Sequence, residues 1–64
     1  MKPFNRKVVK VGDLLCLTSN PDRQLRFKFV GQGGVVVATW VDRVEGVPND
    51  AILRQRQVRM VEAA

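Results

Sequence analysis

Lys7, Lys10, Arg26, Lys28, Arg54, Arg56 and Arg59 are the residues of this chain best equipped to act on a partner. Lys and Arg neutralise phosphates and release counterions, an attraction that does not depend on base sequence. The chain as a whole leans the same way. It carries 11 Lys and Arg against 6 Asp and Glu, a net charge of +5, and its pI is about 10.4. That balance suits nucleic acid or another acidic partner. Stacking on bases needs exposed aromatic rings, and Phe27, Phe29 and Trp40 are expected in the core.

Catalysis has little to work with. The chain has no His, so Ser–His and Cys–His arrangements are unavailable. Cys16 is the only cysteine. Its apolar neighbours Leu15 and Leu17 predict a buried, inert thiol. No disulfide can form within the chain, and a structural zinc site is excluded with it. Ser19 caps a turn. Asp13, Asp22, Asp42, Glu45 and Asp50 lie in or beside turns, where backbone hydrogen bonding accounts for each. Gly31-Gln32-Gly33-Gly34 lacks the Lys-Ser/Thr of a P-loop, and no helix follows it. The expectation is a non-enzymatic binding module without cofactor, metal or small-molecule substrate.

The elements that must hold these residues are short and extended. Residues 1–10 form a basic N-terminal segment. Pro3 makes its first residues a poor strand, while Val8, Val9 and Val11 can pack on a barrel or add a short edge. Gly12-Asp13 is turn chemistry, and Leu14 to Thr18 is the first strand. Ser19-Asn20-Pro21-Asp22 places Pro where a type I turn prefers it. Leu25-Arg26-Phe27-Lys28-Phe29 alternates with period two, setting Leu25, Phe27 and Phe29 on one face and Arg26 and Lys28 on the other. The glycines at 31, 33 and 34 supply positive-φ positions for a reversal. Val35 to Val41 is the third strand. Asp42 to Asp50 is a loop, Ala51 to Leu53 the fourth strand, and Arg54 to Gln57 a single 3-10 turn. Val58 to Val61 closes the sheet.

This order predicts an all-β fold: a small SH3-like barrel of about five short antiparallel strands over residues 11–62, with a 3-10 turn before the last strand. A truncated OB-like barrel is the alternative. A single domain of 64 residues buries only about 60% of its unfolded surface. Such a core rarely supplies more than roughly 3–5 kcal/mol.

The chain also resembles the YodC-like family, short bacterial proteins of uncharacterised function with an SH3-like barrel. The resemblance rests on Gly12-Asp13-Leu14, Leu17, Ser19, Pro21, Trp40-Val41-Asp42 and the Leu53/Val58 spacing, and spans about Val11 to Glu62. The turn departs from the pattern, being Ser-Asn-Pro-Asp without paired glycines. The resemblance implies the fold and supplies no activity.

Two function classes are compatible with these residues. The first is contact with nucleic acid or another acidic partner through the seven basic residues named above. The second is a protein-interaction or self-associating module, a phage or plasmid accessory protein among its forms. The third strand motivates it. If Val36, Ala38 and Trp40 point inward, Val35, Val37, Thr39 and Val41 point outward, and a strand apolar on both faces is hard to hide in so small a barrel. The N-terminal segment is the available cover. No apolar run approaches the ~20 residues of a membrane span. The first residues lack the apolar stretch of a signal peptide. A cytoplasmic bacterial or phage protein is therefore expected. The distribution of the arginines separates the two classes. One continuous basic face favours nucleic acid; scattered arginines beside an uncovered valine stripe favour a protein.

Overall fold

Alternating apolar side chains from five strands and the N-terminal segment meet on the inside of one curved sheet. The computed structural model describes residues 2–61. Over these residues the chain is all-β, with six antiparallel strands: β1 (Lys2–Pro3), β2 (Leu14–Leu17), β3 (Gln24–Val30), β4 (Val36–Trp40), β5 (Asp50–Leu53) and β6 (Val58–Met60). Their order in the sheet is β1-β6-β2-β3-β4-β5. β2 to β5 form a meander, and β6 returns to pair with β2. A 3-10 turn at Gln55–Gln57 separates β5 from β6, as the sequence predicts for an SH3-like arrangement. The expected strand boundaries hold to within a residue or so. Glu62, the last residue of the expected domain, lies outside the described residues.

The core is small. Leu15, Leu25, Phe27, Val36, Ala38 and Val58 are buried in it, and Leu17, Val30, Trp40, Ala51, Leu53 and Met60 pack around them. Val36 and Ala38 face inward and Trp40 follows them, which resolves the facing of the third predicted strand. The corner at Gly12-Asp13 is closed by its own atoms. The Asp13 N–H donates to the Lys10 carbonyl at 2.9 Å, and the Lys10 N–H donates to Asp13 Oδ2 at 2.9 Å. Gly12 sits at φ 92°, where a side chain would be strained.

Three features depart from the sequence-based expectation. First, Lys2–Pro3 is a strand, pairing with Met60 and Arg59. It lies at the margin of the sheet, where the N–H that proline lacks is not required. Second, the N-terminal segment goes to the core and not over β4. The Phe4 ring packs on Phe27 with centroids 5.9 Å apart, and Val9 joins it, while Val8 and Val11 stay exposed. Third, Phe29 is not in the core. The β3–β4 register runs Phe27↔Ala38 and then Phe29↔Val37, a shift of one residue at Lys28. This β-bulge leaves two residues of β3 against one of β4. It reverses the parity of the rest of β3, so Phe27 is 6% exposed and Phe29 52% exposed.

That reversal predicts a sharp asymmetry between two phenylalanines two positions apart. Phe27→Ala should cost about 3–5 kcal/mol, as much as a core of this size supplies, and leave the chain largely unfolded. Phe29→Ala should cost less than about 1 kcal/mol. Urea titrations of the two variants check this, and equal losses would show that the bulge is misplaced.

Candidate functional site

Residues paired across neighbouring antiparallel strands share a face. Behind the bulge, Phe29 pairs with Val37, and Val37 pairs with Ile52. The three side chains therefore form one row across β3, β4 and β5, on the face opposite the core. Phe29 is 52% and Ile52 72% exposed, and Val37 between them is half-buried. Val35 extends the row toward the hairpin. A methyl group of Val35 lies 3.1 Å, and one of Val37 3.7 Å, from where a β-carbon on Gly31 would stand. Glycine at 31 thus lets both valines lie flat against the backbone. Gly33 and Gly34, at φ 76° and 80°, turn the chain between β3 and β4.

A polar row lies beside the apolar one. Arg26 pairs with Thr39, and Thr39 with Asp50. The Thr39 hydroxyl donates to Asp50 Oδ1 at 2.8 Å, and Lys28 Nζ donates to Asp50 Oδ2 at 3.0 Å. Lys28 lies at the bulge, on the same outer face as Asp50. The Lys28 ammonium and, after it, the Thr39 hydroxyl hold the Asp50 carboxyl below its ordinary value of 3.8. Asp50 is therefore a strand residue with two side-chain partners, not the turn residue the sequence suggests.

The predicted basic residues are carried by several elements: the N-terminal segment, β3, the 3-10 turn and β6. Lys28 is paired with Asp50. The Arg26 guanidinium donates to the Gly12 carbonyl at 3.2 Å, next to the corner that Lys10 helps close. Lys7 sits in the N-terminal segment, its backbone N–H bonded to Asn5 Oδ1. Arg54, Arg56 and Arg59 gather separately around the 3-10 turn. Arg54 and Arg56 line one shallow depression with Gly33, Gly34 and Gln55, and Arg56 and Arg59 line a second with Pro3, Phe4 and Thr18. Arg23, not singled out in the sequence, lies over the Trp40 ring at 4.4 Å as a cation–π pair.

Of the predicted interface residues, Val37 stands in the middle of the apolar row. Val35 flanks it, Thr39 belongs to the polar row, and Val41 is exposed just beyond β4. Phe29 and Ile52, the two most exposed members, were missed. The Phe29 alternation pointed inward, and Ile52 is a lone apolar residue in a four-residue strand. Among the described residues no group of His, Cys, Asp and Glu is placed to hold a metal ion. Among the described residues no helix is long and apolar enough to cross a membrane.

Comparison with models of known protein families, with curated proteins and with solved structures finds no match.

The Lys28–Asp50–Thr39 group makes a pH prediction. A carboxyl with a lowered folded-state value binds its proton less readily folded than unfolded. Its contribution to stability is complete above the ordinary value of 3.8 and is lost as pH falls through the lowered one. Chemical denaturation of the natural chain and of Asp50→Asn, carried from neutral pH into acid, should therefore give a stability difference that shrinks only below that value. A difference independent of pH would remove the ion pair from the account.

Proposed function

We propose that this chain is a non-enzymatic protein-binding module. It receives an apolar segment of an acidic partner protein on the outer face of β3, β4 and β5. The observation that carries this reading is the uncovered Phe29–Val37–Ile52 row. Apolar residues scattered singly on a surface need no explanation, but a contiguous row across three strands does. The N-terminal segment does not cover it: Phe4 and Val9 pack against the core instead. The charges around the row indicate the partner's chemistry. Lys28 and Asp50 neutralise each other, which leaves Arg26 and Arg54 at the rim of a chain with net charge +5. Carboxylates flanking an apolar segment complement such a rim.

Arg54, Arg56 and Arg59 favour a second reading, in which the 3-10 turn contacts nucleic acid. Three arginines neutralise few phosphates. Such binding starts weak, and counterion release lowers it further as salt rises. Lys28, which would widen the basic surface, is paired with Asp50.

An anionic apolar dye, anilinonaphthalene sulfonate, and labelled short DNA and RNA strands test the two readings side by side. The dye should bind the folded protein and brighten. Phe29→Lys or Ile52→Lys should reduce that signal severalfold while leaving the melting transition in place. Fluorescence anisotropy should show no saturable nucleic-acid binding at physiological salt. Binding that persists there and is lost in Arg54→Ser/Arg56→Ser/Arg59→Ser, with no dye response at Ile52, would overturn the proposal.

A further inference from the structure

The sheet has two edges, and they are not alike. β1 is two residues long and contains Pro3, which blunts it against pairing. β5 is four residues long, Asp50-Ala51-Ile52-Leu53. Among the described residues nothing pairs with its outer side. The Trp40 N–H donates to the Asn49 carbonyl at 2.9 Å. From that pair the antiparallel alternation assigns the rest of the ladder. Ala51 and Leu53 exchange hydrogen bonds with Ala38 and Val36, whereas Asp50 and Ile52 aim their N–H and C=O groups away from β4. The unused groups end at Arg54, whose N–H donates to Gln57 Oε1 and whose carbonyl accepts from the Gln57 N–H.

We propose that the occupant of this edge is the β5 strand of a second copy of this chain, paired antiparallel about Ile52. Side-chain chemistry selects that register. Centred on Ile52, the two Ile52 residues exchange both backbone bonds, and their side chains meet on the outer face. Asp50 then stands opposite Arg54 of the second copy, and the reverse, giving two opposite-charge pairs. Centring on Asp50 would oppose two carboxylates, and centring on Arg54 two guanidinium groups. Centring on Ala51 would set each carboxylate against an isoleucine. Like charges directly opposite destabilise a sheet, and opposite ones stabilise it. The Asp50 carboxylate retains acceptor capacity beyond Lys28 and Thr39, and the Arg54 side chain is exposed.

The consequence is continuity. Pairing at Ile52 joins the apolar rows of two copies into one stripe running from Phe29 of one to Phe29 of the other. It also addresses the thin core, since a domain below roughly 70–80 residues without disulfide or metal commonly gains stability by association. The edge is distinct from the outer face assigned to a partner above, and the two can be tested separately.

Sedimentation over about a hundredfold range of concentration, with the mass read at each step, tests the pairing. The natural chain should move toward two copies as concentration rises. Ile52→Pro removes an outward N–H that the β4 ladder does not use, and it should stay a single copy. Should that variant fail to fold, Arg54→Asp, an exposed change, replaces two attractions with two repulsions and should weaken association roughly tenfold. Phe29→Lys should still pair while losing dye binding, which separates this inference from the proposed docking face. Residues exchanging both bonds lie about 5.5 Å apart between α-carbons, within reach of a disulfide. Ile52→Cys should therefore oxidise to a covalent dimer many times faster than Val11→Cys, another exposed site. A single copy at every concentration, with both cysteine variants oxidising equally slowly, would overturn the proposal. So would a dimer that survives Ile52→Pro.

Discussion

One extra residue in β3 governs the rest of the structure. Ahead of Lys28, β3 sends Leu25 and Phe27 into the core in step with Trp40 and Ala38 of β4. Beyond it the step changes. Phe29 turns out against Val37, and Val30 turns in against Val36. Without the shift, Phe29 would fall on the core side, and its place on the outer face would go to a neighbouring residue of β3. With it, the core loses an aromatic ring, and Phe4 from the N-terminal segment packs on Phe27. The Lys28 ammonium, at the shift itself, pairs with Asp50. Core composition and the apolar row thus share one cause.

Strand positions were legible because turn chemistry in this chain is dense. Gly12-Asp13, Pro21, the glycine cluster and Pro48-Asn49 punctuate apolar runs too short to be helices. The inward facing of Val36 and Ala38 was legible as one of two parities. The bulge was not legible. Leu25-Arg26-Phe27-Lys28-Phe29 alternates without a break, and a bulge there depends on the partner strand's register, which one strand cannot reveal. Pro3 misled for a related reason: a proline argues against a strand only when its N–H is needed, and at the margin it is not. Asp50 looked like a turn residue because Pro48-Asn49 precedes it. Only cross-strand pairing shows it bonded to Thr39 and Lys28.

The basic residues show the same limit in its functional form. A count of charge is independent of structure, whereas a basic face requires neighbours. Arg26 and Lys28 looked like two members of one solvent face. One donates to the Gly12 carbonyl and the other pairs with Asp50. Arg54, Arg56 and Arg59 stay together because a tight turn and the start of β6 hold them within six positions of sequence. What the fold presents most continuously is apolar, with charge at its margin. That pattern belongs to an interface more than to an electrostatic groove.

The facing of Phe29 is the point on which the account stands, and nuclear magnetic resonance reads it directly. A soluble paramagnetic gadolinium chelate should broaden the ring protons of Phe29 strongly and those of Phe27 little. Phe29 should show Overhauser contacts to the methyl groups of Val37 and Ile52, and Phe27 to Phe4 and the core. A Phe29 ring as protected as Phe27, with Overhauser contacts to Leu25 or Val58, would contradict the bulge and with it the apolar row.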